Sequence, residues 1–86
     1  DEPEIIRRDD GSLLVDGQCS FYEFLEYIDM ECLYPEYDYN TISGLILHLL
    51  EHIPHTGEKI SWHELEFEIV DMDGARIDKI LVYSKQ

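Results

Sequence analysis

The sequence has 86 residues, 44% of them apolar and 12% aromatic, which is enough for one small core and too apolar for a disordered tail. Twenty acidic side chains against six basic ones give a formal net charge of −14, a balance that repels nucleic acid and anionic membrane surfaces alike. The longest apolar stretch, Ile42 to Leu50, is about half the ~20 residues a membrane helix needs and contains His48, so the fragment itself is not expected to insert into a bilayer.

The chain starts with "IIRRDDGSLLVDG", two β-prone runs around Asp10-Gly11, a dipeptide favoured in tight hairpin turns because glycine accepts positive φ freely. Residues 4–8 and 12–16 are expected to pair antiparallel. Ser20-x-x-Glu23 then has the form of a capping box, with Phe21, Phe24, Leu25 and Ile28 at helical spacing behind it, which predicts a helix over 21–30. An acidic, tyrosine-rich connection with Pro35 inside it follows. Thr41 offers an N-cap to a second helix, whose stripe runs Ile42, Leu45, Ile46, Leu49, Leu50 and Ile53 until Pro54 stops it. Beyond "PHTGEK" come "ISW", "LEFEIVDM" and "RIDKILVY", with Asp73-Gly74 as a second hairpin turn. Leu65, Phe67 and Ile69 alternate with Glu66 and Glu68, the mark of a strand with one dry face. The alternation slips between Ile77 and Ile80, which calls for a β-bulge or burial on both faces. The order β-β-α-α-β-β-β predicts an α+β fold, an antiparallel sheet of about five strands with both helices on one face.

Candidate chemistry is sparse. His48 and His52, spaced i, i+4 beside the apolar stripe, could share a metal, but Leu stands beside the first of them, so the glutamate of an H-E-x-x-H motif is missing. Packing at the edge of the stripe is the expected role of both. "DMDG" at 71–74 begins like a calcium loop, yet Lys79 and Ile80 stand where the closing glutamate belongs. Cys19 and Cys32 form no C-x-x-C pair and are expected to be free thiols in a reducing compartment. No serine lies in a nucleophile elbow and the glycines form no dinucleotide fingerprint, so no enzyme is expected. Gly44, inside the second helix, implies that something approaches the backbone there: either the first helix or the tyrosine-rich loop, or a docking surface of Leu47 with Tyr34, Tyr37 or Tyr39.

Several segments in this order resemble the CorC/HlyC-type transporter-associated domain: "DGSLLVDG", "YNTISGLILHLLEHIP", "GEKI", "LEFEIVDMDGARI" and "KILVYSK". The resemblance covers nearly the whole chain, with a domain over 5–84, a linker or remnant at 1–4 and a tail at 85–86. Two departures stand out: Glu51-His52 fill the region where the family usually has a glycine before Ile-Pro, and His63-Glu64 replace a small or glycine-containing turn. The resemblance implies a cytoplasmic regulatory module of a hemolysin-like or magnesium/cobalt-efflux-like protein, on the inner side of the plasma membrane. Its implied partners are the CBS and membrane domains of the same parent chain, with a homodimer as a further arrangement. Starting at Asp1 rather than Met is expected of such a piece. The family's likeness to flavin-binding domains brings FAD in by fold analogy only. No cofactor is expected, because a flavin's pyrophosphate calls for a glycine-rich cradle and works against a charge of −14. The alternative function is a ligand-binding domain for flavin, a nucleotide or a divalent cation.

Overall fold

Alternating sequence becomes a five-stranded antiparallel sheet in the computed structural model, which describes residues 3–85. The strands are β1 (Ile5–Arg7), β2 (Leu13–Asp16), β3 (Lys59–Trp62), β4 (Leu65–Asp73) and β5 (Arg76–Ser84), in the spatial order β1-β2-β5-β4-β3. Two helices, α1 (Phe21–Tyr27) and α2 (Ile42–Leu50), cover one face, so the expected α+β architecture is the one observed. Of the expected terminal segments, residues 1, 2 and 86 lie outside the described residues.

The core forms where the two periodicities meet. Phe21, Phe24 and Leu25 of α1 and Ile42, Leu45 and Ile46 of α2 are buried against Leu13, Val15, Phe67, Ile69, Ile80 and Val82 of the sheet. The two helix starts are tied together, because Ser20 and Thr41 form an isolated antiparallel bridge, with Phe21 N–H donating to Asn40 O at 3.1 Å and Ile42 N–H to Cys19 O at 3.0 Å.

Local details differ from the sequence expectations for identifiable reasons. The first hairpin is not a two-residue turn at Asp10-Gly11. Gly11 N–H donates to Arg8 O at 2.9 Å, Arg8 N–H to Ser12 O at 2.8 Å, and Gly11 takes φ 90°, the form of a three-residue connection closed by a left-handed residue. The second hairpin pairs Asp73 with Arg76, so its two loop residues are Gly74 and Ala75, with positive φ at the glycine alone. Only half of the capping box forms: Ser20 Oγ accepts from Glu23 N–H at 3.3 Å, and Ser20 N–H does not donate in return to the Glu23 carboxylate.

Both helices stop early. Past α1, Met30 N–H donates to Leu25 O at 2.8 Å and Asp29 N–H to Glu26 O at 3.1 Å, with Asp29 at φ 60°, a Schellman motif that ends the helix before Met30. Glu51 ends α2 with φ 63°. Ile53 is consequently outside the helix and 61% exposed, although the stripe had placed it in the core.

The slip in β5 is a bulge with a counterpart. Ile69 pairs with Ile80 and Asp71 with Lys79, leaving Val70 extra on β4; Met72 then pairs with Ile77, leaving Asp78 extra on β5. Between them the two bulges let Ile77 and Ile80 both face the helices, each at most 1% exposed.

Candidate functional site

The sheet register and the early stop of α2 decide where each candidate side chain goes. His48 lies on the last helical turn with its ring 5.4 Å from that of Tyr39. His52 follows the left-handed Glu51 and turns away, its Nε2 reaching Glu58 Oε2 at 2.5 Å while Nδ1 sits 2.9 Å from Leu50 O. The helical spacing expected of His48 and His52 therefore does not bring the two imidazoles together. Glu58 gathers His52 and His55 instead: His55 N–H donates to Glu58 Oε1 at 3.2 Å, and His55 Nε2 lies 3.7 Å from the same oxygen. Desolvation pushes the Glu58 carboxyl upward, but the His52 hydrogen bond, the His55 N–H and the two imidazoles outweigh it and leave it below the usual carboxylate range. Sequence reading missed this cluster because its members straddle a loop whose path only Pro54 and Gly57 hinted at. Among the described residues no group of three His, Cys, Asp or Glu side chains is placed to hold a metal ion.

The tyrosine-rich connection folds over the exposed end of the core. Tyr34 and Tyr39 flank Phe21 at ring distances of 6.3 and 6.2 Å, and Tyr37 stands edge-on to Trp62 at 5.4 Å and to His63 at 5.8 Å. All three are half-buried. The approach implied by Gly44 is that of Tyr39, whose Cβ would lie 3.5 Å from a methyl group placed on the glycine. Trp62 is buried, and its indole N–H has no hydrogen-bond partner among the described residues.

Leu47 is the exception on α2. It is 36% exposed and lies one turn beyond Gly44, next to His48. It lines a shallow groove of about 550 Å³ with Gln18, Thr41, Ala75, Arg76 and Ile77. Tyr39 packs at Gly44 and His48, whereas none of Tyr34, Tyr37 and Tyr39 lines the groove beside Leu47.

The groove ends where two backbones nearly touch. A Cβ on Gly17 would sit 2.0 Å from Ile77 O and 2.9 Å from Ser43 Oγ. Gly17 N–H donates to Asp78 O at 2.9 Å, and Gly17 O accepts from Ser43 Oγ at 2.5 Å and Ser43 N–H at 3.2 Å. The glycine joins β2, the bulge in β5 and the first turn of α2. Its place directly after a strand was the only sequence signal.

The thiols take no part in these contacts. Burial first, then the nearby charges of Glu4, Glu23 and Asp16, push Cys19 up to about 12, which keeps it protonated and unreactive, while Cys32 is exposed.

With this geometry in place, the comparison with known proteins decides the family. The profile of the CorC_HlyC transporter associated domain matches residues 6–86. The chain belongs to this family. A transporter-associated domain from a Xylella fastidiosa hemolysin superposes with a TM-score of 0.85 at 35% identity, each chain covered in full. The same domain in complex with Mg²⁺ and Mn²⁺ gives a TM-score of 0.84 at 37% identity, covering 98% of this chain and 100% of that one. In sequence, a UPF0053 protein of Synechocystis is 46% identical over 94% of this chain and 18% of its own length. The polyamine export protein of Haemophilus influenzae is 33% identical over 95% of this chain and 19% of its own length. The transporter-associated domain therefore spans less than a fifth of the curated relatives it matches. None of its described helices is long and apolar enough to cross a membrane.

Proposed function

We propose that this transporter-associated domain is a non-catalytic regulatory module. It acts on the cytoplasmic side of the membrane by docking on the CBS and membrane domains of its parent chain, or on a second copy, and biases ion or solute transport through that contact. The domain itself is taken as residues 5–84. The observation that carries this reading is Leu47, a leucine kept exposed over an apolar-lined groove on a helix whose other apolar side chains face the core. Docking of Leu47 and Tyr39, with Tyr34 and Tyr37 ordering the connection behind them, fits the preference of interfaces for aromatic and aliphatic anchors.

The test is Leu47→Asp in the parent chain and in the isolated domain. Association, followed by sedimentation, is expected to weaken about tenfold or more for a buried anchor, with the fold retained. A variant that unfolds would make Leu47 a core residue and remove the basis of the docking surface.

A second reading, divalent-cation binding, is favoured by the Mg²⁺ and Mn²⁺ complex of the Xylella domain. Amide spectra recorded with millimolar magnesium, FAD or ATP separate the two. Specific shifts support the ligand-binding reading, and an unchanged spectrum leaves the docking reading.

A further inference from the structure

The face of the sheet turned away from α1 and α2 carries apolar side chains that no helix among the described residues covers. Direct cross-strand partners share one face. The pairs Ile6↔Leu14, Leu14↔Leu81, Glu68↔Leu81 and Lys59↔Glu68 therefore line one row across all five strands. Its members on β1, β2 and β5 are Ile6, Leu14 and Leu81, and Tyr83 extends the patch in the next row, opposite Glu66. Ile6 is 41% exposed, and Leu14, Leu81 and Tyr83 are half-buried. A solvated face of an antiparallel sheet ordinarily reads polar, and apolar surface left in the open marks interaction sites.

The patch also has walls. The β1-β2 connection rises beside it, so that Asp10, Gly11, Ser12 and Glu68 enclose a groove of about 510 Å³ floored by Leu81 and Tyr83. Two of these walls are carboxylates on opposite sides of β5, on the order of 10 Å apart by strand spacing. Asp10 accepts from Ser12 N–H at 2.9 Å and Ser12 Oγ at 2.6 Å, with the Arg8 charge nearby. Glu68 has no hydrogen bond or ion pair among the described residues, and Glu66 takes only the Ser61 hydroxyl at 2.8 Å. The basic residues of this face stand at its margins: Arg8 near Asp10, Lys59 on edge strand β3, Lys85 one alternation beyond Tyr83, and Lys79 already paired with Asp16 at 3.6 Å.

These charges select the occupant. A second copy would bring another net charge of −14, with its own Asp10, Glu66 and Glu68, onto the same groove. A cationic partner meets the opposite situation. We propose that the open sheet face is a second interface, shaped for a polypeptide segment that lays aliphatic side chains on Leu14, Leu81 and Tyr83 and sets Lys or Arg against Asp10, Glu66 and Glu68. The patch lies across the sheet from Leu47, so it stands or falls separately from the docking surface on α2.

The experiment is a titration of the isolated domain, followed by amide NMR, with an alternating Leu/Lys peptide, a matched Leu/Glu peptide and spermidine. The Leu/Lys peptide is expected to shift the amides of Leu14, Glu68, Leu81 and Tyr83, with affinity falling as salt rises. Leu81→Lys is expected to weaken that binding about tenfold or more, while Leu47→Asp leaves it unchanged. Should Leu81→Lys fail to fold, Glu68→Lys at the solvated rim tests the same point. Equal binding of the Leu/Glu peptide, or shifts confined to another surface, would overturn the proposal. So would equal shifts with spermidine, which would make the groove a small-polycation site, or shifts on this face that depend on protein concentration alone, which would make it a contact between copies.

Discussion

Glu51 is where this chain departs most from its own helix chemistry, and replacing it with glycine should stabilise the protein. The residue ends α2 at φ 63° and ψ 22°, with its N–H donating to Leu47 O at 2.9 Å. For a side chain with a Cβ this left-handed conformation costs roughly 1–2 kcal/mol, because Cβ crowds the neighbouring carbonyl. Its carboxylate also faces the negative end of the helix dipole, which adds a few tenths of a kcal/mol for an exposed group. Glycine removes both terms and keeps the hydrogen bond, at the cost of roughly 0.5–1 kcal/mol of extra freedom in the unfolded chain. The balance is about 1 kcal/mol in favour of Glu51→Gly, or about 4–8 °C in melting temperature for a domain of this size. Thermal unfolding by circular dichroism measures it, with Glu51→Ala as the control that removes the charge and keeps the Cβ. The explanation requires Gly to exceed Ala clearly. If the two variants melt together, the gain is electrostatic and the backbone carries no strain worth relieving.

Four further outcomes follow from the geometry. Gly17→Ala forces a methyl group to 2.0 Å from Ile77 O, between backbone segments that cannot swing aside, and should cost about 3 kcal/mol in urea unfolding. Native protein should react with an aromatic disulfide reagent at Cys32 alone, and at both thiols in denaturant, because Cys19 is buried and its thiol is pushed up to about 12; by the same linkage, Cys19 makes stability fall as pH rises beyond the ordinary thiol range. Asp10 is held below the usual carboxylate range by the Ser12 hydroxyl and then the Ser12 N–H, so its contribution to stability is present above the unfolded value and lost as pH falls through the folded one; Ser12→Ala should raise the titration midpoint seen by carboxyl NMR. His63→Gly should change the melting temperature less than Glu51→Gly, because relief of φ 55° at His63 is offset by loss of ring contacts at 4.6 Å to Trp62 and 5.8 Å to Tyr37.

Sheet and helices were legible because their periodicities were strong. Leu65, Phe67 and Ile69 alternate cleanly with Glu66 and Glu68, and the pairings with β3 and β5 fall on those positions. The helix ends were not legible, since they rest on Asp29 and Glu51 in left-handed conformations that only glycine would have announced. Periodicity ran on through Ile53 without a visible stop, and Pro54 marked a boundary three residues too late. For the same reason the helical spacing of His48 and His52 is not kept, because α2 ends at Leu50, between the two residues. The Leu47 surface was partly visible, because Gly44 signalled an approaching side chain, but which tyrosine would fill that place depended on the path of a ten-residue connection. Nothing local reveals that Gly17 O would accept from Ser43, twenty-six residues away in sequence.

The uncovered apolar row on the sheet is specified by register rather than left over from it. Side chains in a strand alternate faces, so a shift of one residue sends every later side chain to the other side. Ile77 and Ile80 are an odd number of residues apart, and both can face the helices only because Asp78 is accommodated as an extra residue in β5. Past that bulge the alternation places Ile80 and Val82 inward and Leu81 and Tyr83 outward, and Val70 supplies the matching extra residue on β4 that brings Met72 to the core face opposite Ile77. A sequence under pressure only to fill one core would do equally well with polar residues at 14, 81 and 83, since no helix reaches them. Apolar side chains on both faces of an antiparallel sheet gain from two covering layers, and α1 and α2 supply one. A partner is the second layer proposed above, and the carboxylates of Asp10, Glu66 and Glu68 around Leu81 and Tyr83 favour one that carries positive charge.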